Sequence, residues 1–136
     1  MKKIIRVVAA VVERDAHYLI TQRRAEAVLP GLGEFPGGRV EAGESDEQAL
    51  ARELGERLGA RVVLGRKIGE RHHAYAGYEV ALALYQAKLP EGESLRALRV
   101  QDFRWVTSDQ FAQYQFPDAD QATMDLLLGV GAEERR

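Results

Sequence analysis

The sequence contains no cysteine, which excludes a disulfide scaffold, a zinc–thiolate site and a cysteine nucleophile. Its longest wholly apolar runs, Val7–Val12 and Val80–Tyr85, have the length of strands and fall far short of the roughly 20 residues that a membrane-spanning helix needs. Basic residues are not in excess, because 19 Lys and Arg face 21 Asp and Glu, so general binding to nucleic acid is not expected. We expect one domain over residues 1–136, in the cytoplasm and without a membrane contact.

Patterns of strands and helices alternate along the chain and predict an α/β fold. Apolar and β-branched runs predict strands at Ile4–Val12, His17–Gln22, Arg61–Arg71, Tyr78–Lys88 and Val100–Val106. The best-marked helix follows Ser45, which forms a capping box with Gln48, and it ends at Gly59. Further helices are predicted at Ser108–Tyr114 and Ala119–Leu128. This order favours a mixed sheet with helices on both faces.

Three carboxylates lie in one loop–helix unit between Gly38 and Gly59. Glu53 and Glu56 are three residues apart and therefore share a face of the helix, and Glu44 lies in the loop before it. Carboxylates that converge beside a glycine-rich backbone predict a site for a hard cation such as Mg²⁺, which prefers oxygen ligands and bridges to substrate phosphates. For two carboxylates alone, a solvated helix rich in glutamate is the alternative.

The spacing of residues 38–59 resembles the Nudix box, G-x5-E-x7-R-E-U-x-E-E-x-G-U, where U is a bulky aliphatic residue. The matching positions are Gly38, Glu44, Arg52, Glu53, Leu54, Glu56 and Gly59. Other stretches are similar to the MutT-like branch of that family, among them Gln22-Arg23-Arg24, Glu34–Glu41 and Arg104-Trp105-Val106. The resemblance implies a Nudix fold, which is an α/β/α sandwich around a mixed sheet. It also implies that a nucleoside triphosphate, or a related nucleoside diphosphate derivative, is hydrolysed with Mg²⁺ or Mn²⁺, a triphosphate giving monophosphate and pyrophosphate.

The same resemblance gives roles to the candidate catalytic group. It implies that Glu53, Glu56 and the backbone carbonyl near Gly38 hold the metal. Arg52 and Glu44 resemble the internal ion pair that joins the loop to the helix, so these two residues are expected to support the site.

Two positions depart from the family pattern. Arg57 replaces the second glutamate of the E-E pair, and Arg99, in a looser alignment, stands where the family often has a loop glutamate. Because Arg57 follows Glu53 by four residues, a favourable spacing for a helical ion pair, we expect it to engage Glu53 and weaken metal binding. Two functions stay open: an enzyme in which Arg57 or Arg99 clamps phosphate, or a nucleotide-binding or regulatory domain with weakened catalysis. We favour retained hydrolysis.

Recognition of the nucleotide, the expected small-molecule partner, is also implied by the resemblance. Arg39 stands near the phosphates, where its guanidinium would bind two oxygens at once. Arg23 and Phe35 match positions that contact the base, with a surface charge and a core residue as the alternatives. Asp120, an acceptor-only group, would favour a base edge rich in N–H donors, and an N-cap or dipole partner at the helix start is its alternative. Apart from the resemblance, Tyr78 or one of the adjacent His72 and His73 is a further candidate for lining the cleft, with plain surface as the alternative. The chain is expected to be a monomer or a homodimer.

Overall fold

The computed structural model describes residues 3–26, 33–113 and 121–129. Its elements, in chain order, are β1 (Lys3–Arg14), β2 (His17–Gln22), β3 (Gly33–Glu34), β4 (Gly37–Arg39), α1 (Asp46–Leu58), β5 (Val63–Tyr75), β6 (Tyr78–Lys88), β7 (Asp102–Val106), a 3-10 helix (Ser108–Gln113) and α2 (Gln121–Leu128). The strands and helices predicted from the sequence are confirmed with shifted ends. Strand β5 extends four residues beyond the predicted Arg71 to Tyr75. The predicted end of the first short helix at Tyr114 and the predicted start of the last helix at Ala119 lie outside the described residues.

Among the described residues the strands form one seven-stranded mixed sheet. The strand order is β3-β2-β1-β6-β5, with β4 paired to β1 and β7 paired to β2. Strands β1 and β6 run parallel, and the other pairs are antiparallel. The turn from β1 to β2 uses left-handed backbone at Asp15 and Ala16, with φ of 52° and 61°. The mixed sheet expected from the sequence is confirmed.

The two faces of β1 pack against different helices, because successive strand residues point to opposite sides of a sheet. One core cluster contains Val8, Ala10, Val12, Leu50, Leu54 and Leu58. A second cluster contains Ile5, Val7, Tyr78, Val80, Met124 and Leu128. Helix α1 therefore covers one face and α2 the other, as expected for an α/β/α sandwich. In the part of the chain that the structure describes, no helix has the length and apolar character to cross a bilayer.

Both ends of α1 are fixed by the caps that the sequence predicts. The Ser45 hydroxyl accepts the Gln48 N–H at 3.1 Å, and the Gln48 side chain accepts the Ser45 N–H at 2.9 Å. At the other end Gly59 adopts a φ of 61° and donates its N–H to the carbonyl of Gly55. The buried leucine stripe, worth about 2 kcal/mol per side chain, sets the rotation of the helix. Together these contacts determine which face of α1 turns toward β4.

Candidate active site

Glu53 lies on the face of α1 that meets β4, and only 7% of the residue is exposed. Its carboxylate fills the space beside Gly38, where a Cβ would lie 2.5 Å from the carboxyl carbon. At Gly37 a Cβ would lie 2.0 Å from the carbonyl oxygen of Val8, because β4 pairs closely with β1. The tandem glycines therefore let the strand approach both β1 and the Glu53 carboxylate.

Arg52 joins the loop before α1 to the helix itself. Its Nε and Nη2 atoms donate to the two oxygens of Glu44 at 2.8 and 2.9 Å, and Nη2 also donates to the carbonyl of Arg39 at 3.1 Å. The two hydrogen bonds from Arg52 to Glu44, followed by one from the backbone N–H of Glu41 at 2.9 Å, lower the pKa of Glu44 to about 2. A carboxylate with a lowered pKa stabilises the fold above its ordinary pKa, and this contribution fades as the pH falls toward 2.

Both candidate metal-binding carboxylates have guanidinium partners. Glu53 Oε1 accepts from Arg52 Nη1 at 3.0 Å, and Glu53 Oε2 accepts from Arg57 Nε at 2.6 Å. Glu56 is more exposed, and its Oε2 lies 3.6 Å from both Arg52 Nη1 and Arg99 Nη1. The structure thus brings together Arg57 and Arg99, the two positions at which the sequence departs from the family pattern.

Arg99 reaches the site because its loop docks on the end of α1. The backbone N–H groups of Leu98 and Arg99 donate to the carbonyl of Arg57 at 2.9 and 3.1 Å. That carbonyl lies in the last turn of the helix, where intrahelical donors are missing. The loop therefore donates hydrogen bonds to a carbonyl at the end of α1 and places the Arg99 guanidinium beside Glu56.

The carboxylates of Glu53 and Glu56 have the oxygen chemistry that Mg²⁺ and Mn²⁺ prefer. Among the described residues, however, no group of three Asp, Glu, His or Cys side chains is arranged to hold a metal. The close fit of Glu53 against Gly38 holds this carboxylate beside the backbone of β4. The chemistry of these donors fits a divalent cation, while in this structure Arg57 Nε occupies Glu53 Oε2.

Two clefts meet at the Glu53–Arg57 ion pair, and each has a volume of about 390 Å³. The inner cleft runs between β4 and α2 and has an apolar wall formed by Val80, Leu82, Met124, Leu127 and Leu128. The outer cleft is polar and is lined by Arg23, Arg24, Glu26, Glu41, Arg52, Glu53, Glu56, Arg57 and Arg99. A larger groove of about 760 Å³, beside Val63 and Ile68, lies on another part of the sheet and does not include the ion pair.

Arg23 and Phe35, predicted to contact a base, both line the inner cleft. Phe35 is half-buried and packs edge-on against Phe111, with 5.8 Å between the ring centroids. Arg23 Nη1 lies 3.4 Å from Glu34 Oε1. The structure therefore places an aromatic ring and a polar pair in the same cleft as Glu53.

Other predicted substrate residues lie elsewhere or have other partners. Arg39 lines the inner cleft, but its Nη1 donates to the carbonyl of Leu128 at 2.7 Å, so it anchors the last turn of α2. Tyr78 is fully buried and donates its hydroxyl to Asp125 at 2.6 Å; the structure does not bring it to the described wall of either cleft. Asp120 lies outside the described residues.

Glu34 is a site residue that the sequence did not single out. It lines the inner cleft on β3, and burial raises its pKa, an effect that Arg23 and Arg57 only partly oppose. The strand has two residues, which is too short for any periodicity to indicate burial. The sequence signal that could have identified Glu34 is its place just before Phe35, in a stretch similar to the MutT-like branch.

Replacing Glu34 by glutamine is expected to raise the free energy of unfolding at pH 8 more than at pH 5. A carboxyl whose pKa is raised in the fold favours the folded protein less as the pH rises from about 4.5 through that raised value. Glutamine removes this cost and keeps an oxygen that can accept from Arg23. Urea unfolding at both pH values measures the difference. Glu70→Gln is the control, since Lys67 lowers the pKa of Glu70; parallel pH profiles for wild type and Glu34→Gln would contradict the burial argument.

Comparison with known proteins defines the class. A family model for the NUDIX domain matches residues 7–126. The chain is 35% identical over 130 residues to a CTP pyrophosphohydrolase of Escherichia coli K12, with 96% of each chain covered. It is 34% identical over 129 residues to an 8-oxo-dGTP diphosphatase of Haemophilus influenzae, covering 93% of each. The solution structure of the E. coli ORF135 protein has a TM-score of 0.73 and 34% identity, with 97% of this chain and 94% of that one covered.

The fold also matches a MutT protein from Methanosarcina mazei Go1, with a TM-score of 0.69 at 20% identity, covering 94% of this chain and 92% of that one. The chain belongs to the Nudix family. It is a Nudix hydrolase, and enzymes of this family use a divalent metal ion.

Alanine at Gly38 and alanine at Gly37 are expected to have different effects. At Gly38 the methyl group would displace the Glu53 side chain, so we expect most of the hydrolase activity to be lost with a stability loss of about 1 kcal/mol. At Gly37 it would meet the backbone of Val8, so we expect a loss of about 3 kcal/mol. Urea unfolding and turnover measure both variants. Equal stability losses, or full activity of Gly38→Ala, would contradict this geometry.

Proposed function

We propose that this Nudix hydrolase converts a nucleoside triphosphate to the nucleoside monophosphate and pyrophosphate, with Mg²⁺ or Mn²⁺. The observation that carries the proposal is the position of Glu53. Its carboxylate lies where an inner cleft with an apolar wall and an outer cleft lined by arginines meet. A nucleotide has the same division, with a flat base at one end and a charged phosphate chain at the other.

The inner cleft is suited to a nucleobase. Its volume of about 390 Å³ falls within the range of small-molecule sites. Phe35 offers an aromatic ring and the methionine and leucine side chains of α2 an apolar wall, while Arg23 and Glu34 offer donors and an acceptor to the edge of a base. The names of the relatives, which include cytosine and oxidised-guanine nucleotides, support a base in this cleft without selecting one.

The outer cleft is suited to phosphates. Arg57 and Arg99 lie beside Glu53 and Glu56, and guanidinium groups bind phosphate oxygens well. Arg52 is occupied by Glu44 and the Arg39 carbonyl. Because its Nη1 also donates to Glu53 Oε1 at 3.0 Å, its role is to hold Glu53 in place. A divalent cation on Glu53, Glu56 and the Gly38 carbonyl would supply charge neutralisation and an activated water.

The sequence-based alternative was a nucleotide-binding or regulatory domain with weakened catalysis. Its support is the 2.6 Å contact between Arg57 and Glu53. Relatives of matching length that are named as a pyrophosphohydrolase and a diphosphatase do not favour it. We also propose that residues 1–136 form a single domain acting in the cytoplasm as a monomer or a homodimer.

A nucleotide panel tests the proposed function. The purified protein is incubated with canonical and oxidised ribo- and deoxyribonucleoside triphosphates and Mg²⁺ or Mn²⁺, and the products are separated. We expect monophosphate and pyrophosphate in equal amounts from at least one nucleotide, and none in EDTA. Release of inorganic phosphate alone would contradict the proposed bond cleavage. Thermal stabilisation by nucleotides with no product from any of them would favour the binding domain instead.

A further inference from the structure

Both carboxylates proposed to hold the metal lie beside arginines in the free protein. Arg57 contacts Glu53 at 2.6 Å in a setting where the Glu53 side chain is 10% and the Arg57 side chain 28% exposed. A close ion pair that is largely shielded from water is far less screened than a surface pair. Any cation that approaches Glu53 must therefore compete with a guanidinium that is already in place.

The charge of the outer cleft does not favour a lone cation either. Its described wall carries five arginines and four glutamates, so a divalent ion meets no net negative charge there. A phosphate chain meets a small net positive charge, because the arginines of this wall outnumber its glutamates by one, and two of them, Arg57 and Arg99, lie next to the proposed metal ligands. The free site is thus better suited to an anion than to a cation.

From this arrangement we propose that the phosphate chain binds before the metal and that it creates the metal site. Phosphate oxygens draw the Arg57 guanidinium away from Glu53, and the freed carboxylate, with Glu56 and the added negative charge of the phosphates, then has the character of a cation site. Arg57 is in this account a positioning residue that makes metal binding depend on the substrate. The inference rests on the proposed function, because it places the substrate phosphates in the outer cleft.

Reciprocity follows from thermodynamic linkage, since two ligands that help each other must do so equally. Arg57 lowers the affinity for the metal when no phosphate chain is bound, and it raises the affinity for the phosphate chain when no metal is bound. One substitution at this position is therefore expected to move the two affinities in opposite directions. A residue with a purely structural role would weaken both or neither.

The experiment is calorimetric titration of the full chain with two separate probes: Mn²⁺ without any phosphate, and inorganic tripolyphosphate in EDTA. For Arg57→Gln we expect Mn²⁺ to bind about 10-fold more tightly and tripolyphosphate about 10-fold more weakly than in the wild type. Arg66→Gln, an exposed charge change on β5, is the matched control and should alter neither affinity. Arg57→Lys keeps the charge and should keep most of the tripolyphosphate binding.

Opposite shifts in Arg57→Gln would support the proposal. Three results would overturn it. The wild type fails to bind tripolyphosphate in EDTA, or Arg57→Gln lowers both affinities, or Arg57→Gln leaves the Mn²⁺ affinity unchanged. Thermal unfolding of each variant shows whether it is folded, and Arg57→Met, which also removes the positive charge, replaces Arg57→Gln in the same titrations if that variant is not folded. The nucleotide panel on the wild type is a separate measurement, so failure of the coupling and failure of the proposed hydrolysis are distinguishable.

Discussion

Replacing Glu53 by glutamine is expected to lower kcat for pyrophosphate release by on the order of 100-fold or more. Glutamine has nearly the same shape and still fits beside Gly38, but it removes the negative charge that a divalent cation needs at this position. Because the amide oxygen can still accept from an arginine, we expect the protein to stay folded. Steady-state turnover at saturating Mg²⁺, with urea unfolding in parallel, measures both quantities.

The matched control is Glu91→Gln, which makes the same chemical change in an exposed turn and should leave kcat unchanged. A Glu53→Gln protein that is folded and retains more than about a third of the wild-type kcat would contradict the assignment of Glu53 as a metal ligand. Loss of activity together with loss of folding would be resolved by Glu53→Asp, which keeps the charge and shortens the side chain.

Arg57→Glu is expected to raise both the affinity of the free protein for Mn²⁺ and kcat. The substitution removes the guanidinium that contacts Glu53 Oε2 at 2.6 Å and restores the carboxylate of the family pattern. We expect Mn²⁺ to bind at least about 10-fold more tightly, since an opposing positive charge becomes an added oxygen ligand. KM for the nucleotide should rise at the same time, because the phosphate chain loses a guanidinium.

Titration with Mn²⁺ followed by electron paramagnetic resonance, together with steady-state kinetics, measures these changes. Arg66→Glu on β5 provides the control for a general change of charge. If neither Mn²⁺ affinity nor kcat changes in Arg57→Glu, the ion pair seen in the structure has no part in metal binding. A fall in kcat would show that Arg57 itself contributes to the chemistry.

Helix α1 and its site residues could be predicted from the sequence because the signals are local. The capping box at Ser45, the glycine at position 59 and the leucine stripe all lie within one turn or a few turns of the residues that they position. The spacing of Glu53 and Arg57 likewise predicted their ion pair, since residues four apart on a helix are neighbours. The structure has both features.

Contacts between segments that are distant in the sequence could not be predicted from such local signals. Arg39 carries the chemistry of a phosphate clamp, but its bond to the carbonyl of Leu128 depends on how α2 packs on the sheet. The burial of Glu34 arises from the pairing of β3 with β2 and from the cleft around it, and a two-residue strand gives no pattern for either. Tyr78 is predicted from the sequence as a candidate for the cleft, whereas the register of β5 and β6 places it under α2.

The most direct measurement for the central claim is a crystal structure with Mn²⁺ and a non-hydrolysable triphosphate analogue, in which anomalous scattering locates the metal. We predict an anomalous peak bound by Glu53, Glu56 and the backbone carbonyl of Gly38, with the Arg57 guanidinium moved onto the phosphates. A bound analogue with Arg57 still on Glu53 and no anomalous peak beside these carboxylates would contradict the account.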